Sequence, residues 1–574
     1  MALVPVMLIG LGSTATAQTA PEPRTRAVVI VGLEGVSAGE VFASDLASVG
    51  GDEVGSGLLV PQTSPGNQLD LIETLGEGNA TITSVRLGRD EIASLADDGS
   101  VVSGLDAVAG SVAGDAAASD AGRVLVLVVG VAPHATMVAR RDGVLPVVVA
   151  AGAPPSFDVR TSGVSLTSDS TRREGVVSSF DLLPTVSAFL GRSISDTEGG
   201  SVIRVAPVDP PVALYERYLE MRRITVPVQA AAALYVTLAT LVLAVMLVLR
   251  SRGSARFGDR AVNRARWFGL SVPPLAVGLF AAGHLPRLTY PIALPFVVAV
   301  TVAGTLAVVP LARRGRFGPI VAMGIGVLVL TVIETLLGWS AALTPLLGGS
   351  QLDGGRFFGM PNVVVGLVVG AGVYAAARSS FAVGAWLLVG IALLVGLPGM
   401  GANIGAAIAA CAAAGLWFVV GTRGRFDTRA AAAGLGAAVV GGLVILAIHR
   451  FAPGAPTHAT RFVEGASGGP LTALTDRLEV GIELLRRSPA AIGPTLGVVV
   501  LAALGLWPAR AVRPAFSIEP RLRFLVLVLG MTGILSYLVE DSGAAAAGLF
   551  FGLGLGALFY VSLPLANGDD VARP

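Results

Sequence analysis

Apolar and polar positions divide this chain into two parts. Up to about residue 215 the apolar residues come in short runs between polar stretches; from Val226 they come in long blocks that continue almost to the C-terminus. The first block, Val226 to Leu249, holds no charged residue and is followed by Arg250, Arg252, Arg256 and Arg260. About 20 apolar residues suffice to cross a bilayer core, so this block reads as a membrane span with an arginine cluster behind it. The pattern predicts eleven candidate spans, at approximately 226–249, 268–284, 291–311, 319–338, 362–377, 381–397, 402–420, 430–448, 491–507, 523–539 and 544–563. Gly/Ala-rich stretches such as Gly401 to Gly415 predict helices packed backbone to backbone.

In the polar part, Arg26 opens the run Ala27 to Leu33, which ends in Glu34-Gly35. A second run, Val124 to Val129, leads into Gly130-Val131-Ala132-Pro133-His134, and a third, Leu145 to Ala150, ends in Gly152. Near-continuous Val/Leu/Ile strands predict a parallel sheet covered on both faces, with functional groups at the C-terminal strand ends. Glu34, His134 and the loop after Ala150 are expected at that edge. The fold class is therefore an α/β domain over residues 18–215, joined to an all-α polytopic bundle over residues 226–563.

Topology follows from the arginines. Ala15-Thr16-Ala17 behind an apolar run is an A-x-A cleavage pattern, so residues 1–17 read as a signal peptide, an uncleaved anchor being the alternative. Either way the α/β domain is expected outside the cytoplasm. The loops after odd-numbered spans then become cytoplasmic, and they carry Arg313-Arg314-Arg316, Arg423-Arg425-Arg429 and Arg510-Arg513-Arg521. The long loop 449–490 falls outside, with an amphipathic helix expected over Leu471 to Arg487, and the tail 564–574 falls in the cytoplasm. The expected location is the plasma membrane, crossed many times.

Composition agrees: 53% of residues are hydrophobic, 14% charged, and a net charge of +1 gives no reason to expect a nucleic-acid partner. The chain has no lysine. The single cysteine, Cys411, cannot form an intrachain disulfide and reads as a small packing residue.

The stretch Gly175-Val176-Val177-Ser178-Ser179-Phe180-Asp181-Leu182-Leu183-Pro184-Thr185, continuing to Leu190-Gly191, resembles the "G-x-V-x-x-x-D-x-x-P-T-x-x-x-x-L-G" segment of the alkaline phosphatase superfamily. Glu34-Gly35 after the first strand is similar to that family's first metal-ligand turn, so the resemblance covers about residues 26–192. It implies a truncated alkaline phosphatase-like α/β domain in which Asp181 and Thr185 are cap or packing residues. Hydrolytic members hold one or two divalent metals on several Asp and His ligands around a Thr, Ser or modified Cys nucleophile. Here Glu34 replaces the first aspartate, His134 is the domain's single histidine, and Thr63 with Ser64 stands roughly where a nucleophile falls. The reading is a degenerate domain with no metal and no cofactor, a pseudoenzyme. Were it active, Zn or Mn would be its metal, Glu34, Thr63 and His134 its catalytic set, and phosphoric-ester hydrolysis or phosphotransfer its reaction.

The membrane half carries its own polar pattern. Asp353, Arg356, Asn362, Asn403, Glu540 and Asp541 are all expected at the outer membrane face, on Gly-rich helix entries that suit anion binding. The competing reading is that these residues cap helices. Glu334 is the one acidic residue well inside an expected span, and His284, His449 and His458 also belong to this half. These segments resemble those of a group of large bacterial envelope proteins with a phosphatase-like outer domain before many spans. The leading expectation is an envelope protein that binds or handles a phosphate-bearing lipid or glycan. A metal-dependent hydrolase or transferase and a transporter are the alternatives.

Overall fold

A computed structural model describes residues 26–44, 49–50, 53–60, 80–98, 100–117, 123–133, 144–152, 158–159, 164–191, 200–208, 211–253, 257–353, 358–451, 492–539 and 543–565, with a few isolated positions. Most of the chain before Ile224 forms one compact unit and most of the chain after it a second.

The first unit is built on strands β1 (Arg26–Glu34), β2 (Val49–Gly50), β3 (Glu53–Val60), β4 (Ala80–Gly88), β5 (Arg123–Ala132), β6 (Leu145–Gly152), β7 (Asp158–Val159), β8 (Ser165–Ser168), β9 (Val176–Ser178) and β10 (Ile203–Ala206). Eight form one sheet in the order β10-β8-β3-β6-β5-β1-β4, with β9 also beside β3; β2 and β7 pair separately. Its helices are α1 (Ala38–Phe42), α2 (Arg89–Ala93), α3 (Val101–Ala117) and α4 (Leu182–Leu190). Alternate residues of the central strands feed two cores. Val29, Val31, Val126 and Val128 pack with Leu105, Val108 and Val112 of α3. Val28, Ile30, Leu125 and Leu127 pack with Leu182, Leu183 and Val186 of α4. Burial on both faces is what a near-continuous apolar strand encodes.

Strand direction is different from the expectation. β1 is parallel to β4 and β5, but β6 runs antiparallel to both β5 and β3. Val124 pairs with Gly152, so the end of β6 lies at the start of β5. The loop after Ala150 is therefore at the opposite sheet edge from Glu34. A run buried on both faces has the same composition in either direction, so the sheet is mixed rather than parallel.

The second unit is helical. Its elements are α5 (Val212–Ser251, which begins in the first unit), α6 (Asp259–Gly269), α7 (Val272–Ala281), α8 (Tyr290–Ala307), α9 (Gly318–Leu336), α10 (Val365–Ala376), α11 (Phe381–Gly396), α12 (Ile404–Arg423), α13 (Thr428–Phe451), α14 (Ile492–Leu506), α15 (Arg513–Ile518), α16 (Pro520–Val539) and α17 (Gly543–Leu565). Among the described residues, seven helices are long and apolar enough to cross a membrane. An eighth is added if the pair Asp259–Gly269 and Val272–His284, bent by 40°, is one span.

That falls short of the expected eleven. Segments 362–377, 381–397 and 491–507 contain apolar helices of 12, 16 and 15 residues. At about 1.5 Å per residue these reach no further than about 24 Å, against a hydrocarbon core of about 30 Å. Hydropathy does not distinguish a helix from the apolar turns that extend it, such as the 3-10 turn Asn362–Val364 before α10. The amphipathic helix expected over Leu471 to Arg487 lies almost wholly outside the described residues.

The Gly/Ala stretches serve close packing. A Cβ on Gly366 of α10 would stand 2.2 Å from the Ala546 carbonyl oxygen of α17, and one on Gly415 of α12 would stand 2.6 Å from that of Ala433 on α13. Backbones approach through small residues, and the larger side chains turn outward: Leu234, Leu238, Leu241 and Val245 of α5 are all exposed. Arginines fasten one end of the bundle. Arg523 donates to the carbonyls of Gly505 (2.8 Å) and Leu506 (3.1 Å), Arg521 to Ala377 (3.2 Å) and Arg378 to Arg314 (2.7 Å). Carbonyls at helix C-termini lack intrahelical donors and carry the negative end of the dipole, so guanidinium groups satisfy both needs. α9 leads away from this end and α10 leads back to it, which places Glu334, Asn362 and Asn403 at the other.

Candidate functional site

Among the six expected outer-face residues, the side chains of Asn362 and Asn403 are described. Asn362 and Asn403 do come together. Asn403 is fully buried and caps α12, its Oδ1 accepting from the Ala406 N–H at 2.9 Å. Its Nδ2 donates to the Met360 carbonyl at 3.2 Å and to Asn362 Oδ1 at 3.0 Å. The Met360 N–H in turn donates to the Gly401 carbonyl at 2.6 Å. Gly359 is left-handed (φ 77°), and a side chain there would meet the Gly401 oxygen at 2.3 Å. Both polar atoms of the Asn403 side chain are thus engaged, Oδ1 in capping its own helix and Nδ2 in joining two loops, which makes it a cap and a staple. Asp353 ends the short turn Gln351–Asp353, its side chain outside the described residues. Arg356, Glu540 and Asp541 also lie outside them.

In the first unit, Glu34 is exposed at the end of β1. The turn behind it requires glycine, with Gly35 at φ 75°, and is tied down by Arg89, which donates to the Gly35 carbonyl at 3.0 Å and to both carboxylate oxygens of Glu40 at 2.9 and 2.5 Å. The acid that engages a cation here is Glu40. Burial of Glu40 opposes its ionisation, but the bonds from Arg89 and Ser37 together outweigh it and hold the carboxyl below its usual range. Thr63 and His134 lie outside the described residues. Among the described residues no group of three or more His, Cys, Asp or Glu side chains could hold a metal ion.

Asp181 is fully buried and accepts from Ser170 Oγ (2.6 Å) and the N–H groups of Ser178 (2.8 Å) and Ser201 (2.9 Å). Its burial raises the carboxyl pKa against the pull of these donors. Thr185 Oγ1 donates to the Asp181 carbonyl and accepts from the Ile203 N–H, and Gly191 ends α4 in the left-handed conformation. The Asp-Leu-Leu-Pro-Thr segment joins β9, α4 and β10, a structural role.

The arrangement with unspent chemistry lies in the second unit, and the sequence named half of it. Glu334, near the end of α9, forms a hydrogen-bonded pair through Oε1 with Nε2 of His284, which ends the turn after α7. The Glu334 side chain is 10% exposed and that of His284 39%. Oε2 of Glu334 is buried and has no hydrogen-bond partner among the described residues. Both groups line a cleft of about 250 Å³ walled by Val277, Phe280, Val327, Leu367 and other apolar side chains. Local geometry sets them there. Gly283 lies so close to the next loop that a Cβ would stand 2.2 Å from the Ala341 oxygen, and the Leu346 N–H donates to the Leu279 carbonyl at 3.0 Å. The Trp339 N–H closes α9 on the Glu334 carbonyl at 2.7 Å, and its ring meets Phe280 edge to face at 6.3 Å. His284 sits at the polar end of the second expected span and Glu334 inside the fourth, so their placement at one end was readable; their contact was not.

No family model, curated protein or solved structure matches this chain. Its class rests on its own architecture: a helical unit with several helices long and apolar enough for a multi-pass membrane protein, joined to a mixed-sheet α/β unit.

Proposed function

We propose that the protein is a membrane-embedded binding protein for a phosphate-bearing lipid or lipid-linked glycan, whose hydrocarbon part enters the cleft between α7, α9 and α10. The observation that carries this reading is the cleft's composition. Its walls are mostly alkyl and aromatic, its ionisable groups are His284 and Glu334, and three of its lining residues (Leu330, Ile333 and Leu337) are exposed. A flank of exposed leucine, isoleucine and valine is stable facing lipid, so a cleft opening there admits a chain from the bilayer. Its volume is below the ~300–1,000 Å³ of pockets that enclose whole small ligands, which suits part of a chain with the remainder in the membrane. The arginine end is the cytoplasmic one in this reading, which puts the cleft in the outer leaflet. The α/β unit is a recognition module of its own for phosphate or glycan.

Leu330→Trp tests the proposal, because it fills the cleft from its exposed side. A photoreactive lipid carrying its reactive group on the acyl chain should label α7, α9 and α10 of the purified protein, and the substitution should reduce that labelling about tenfold, a loss of about 1.4 kcal/mol. Labelling that Leu330→Trp leaves unchanged would refute the reading.

A further inference from the structure

Glu334 Oε2 presents a need that nothing within the described residues meets. A carboxylate oxygen removed from water demands a donor, and leaving it without one is costly. Two polar groups of the cleft are already committed: His284 Nε2 is paired with Oε1, and the Thr331 hydroxyl, which also lines the cleft, donates to the Val327 carbonyl at 2.9 Å. Glu334 lines the same cleft as these apolar walls, so a lipid seated there brings its polar part to the carboxyl group.

We infer that the cleft selects lipids whose head group carries an N–H or O–H donor, which bonds to Glu334 Oε2 while His284 holds the other oxygen in place. The inference rests on the proposed lipid-binding cleft and names the head-group chemistry it takes. An ammonium and a hydroxyl are both donors of the required kind. A quaternary ammonium with no N–H is not, although its phosphate and chains are the same. Charge-assisted hydrogen bonds are stronger than neutral ones, so the carboxylate sets the preference. His284 acts as a positioning residue, holding Glu334 through Oε1 and leaving Oε2 unpaired among the described residues.

Competition against a chain-labelled photoreactive phosphatidylethanolamine, on the full-length protein in detergent micelles, reads this directly. Unlabelled phosphatidylethanolamine (ammonium donor), phosphatidylglycerol (hydroxyl donor) and phosphatidylcholine (no donor), all with identical chains, are the competitors. Phosphatidylethanolamine, phosphatidylglycerol or both should compete about tenfold or more better than phosphatidylcholine, and which of them does so identifies the donor. Glu334→Gln should bring the three competitors to within about twofold of one another. The wild-type comparison needs no variant, so the inference stays open to refutation even if Glu334→Gln folds poorly. Equal competition by all three on the wild type would overturn the donor preference while leaving the cleft intact. Labelling that Leu330→Trp does not reduce would instead remove the lipid-binding reading itself.

Discussion

Asn403 offers the sharpest separation between a ligand-binding residue and a structural one. Its replacement by Ala removes three hydrogen bonds from a site that water does not reach. Loss of the helix cap costs about 1 kcal/mol. Each of the two Nδ2 bonds is worth about 1 kcal/mol net, for a total near 3 kcal/mol. Asn403→Ser keeps a capping oxygen and loses only the staple, so about 2 kcal/mol is expected. Asn403→Asp keeps the cap and suits the helix N-terminus, yet it turns an oxygen toward two acceptors, the Met360 carbonyl and Asn362 Oδ1. That buried repulsion should make it the worst of the three. The five tryptophans (Trp267, Trp339, Trp386, Trp417 and Trp507) all belong to the second unit. Their fluorescence during unfolding in a denaturing-detergent titration therefore reports this unit alone. The expected order of stability is wild type, Ser, Ala, Asp. An Asn403→Ala protein as stable as wild type but unable to retain lipid would refute the assignment and return Asn403 to the ligand site.

Two further outcomes follow from the same structure. The lowered carboxyl pKa of Glu40 means that its contribution to the first unit is fully present above its ordinary value of 4.5 and is lost as pH falls through the folded-state value. Hydrogen exchange at α1 and β1 should accelerate over that acid range in the wild type, and Glu40→Gln should remove this part of the pH dependence while raising exchange at neutral pH. At the contact between α10 and α17, Gly366→Ala places a methyl group 2.2 Å from the Ala546 oxygen. The helices must part, at a cost of about 1–3 kcal/mol in the same fluorescence titration, and Gly366→Val should cost more.

Much of the architecture was legible because it depends on composition and period. Apolar runs bounded by arginine marked the helical unit, and strand runs of Val, Leu and Ile marked a sheet buried on both faces. Asp181 and Thr185 were read as structural, and their bonds to Ser170, Ser178, Ser201 and Ile203 show why. Helix length was less legible, since 362–377, 381–397 and 491–507 are as apolar as a span but hold described helices of only 12, 16 and 15 residues, the first of them opening as a 3-10 turn. The direction of β6 was not legible at all.

The sequence by itself determined where apolar surface must be hidden and which segments carry unpaired charge, because burial and desolvation act on each residue type locally. Only the tertiary structure decided which polar groups meet. Asn403 bonds to Asn362, forty-one positions away, and spends its remaining polar capacity on Met360 and Ala406, whereas Glu334 finds His284 fifty positions away and keeps one oxygen unspent among the described residues. A hydrogen bond depends on the distance between two groups, and that distance is fixed by helix packing, which no local pattern records.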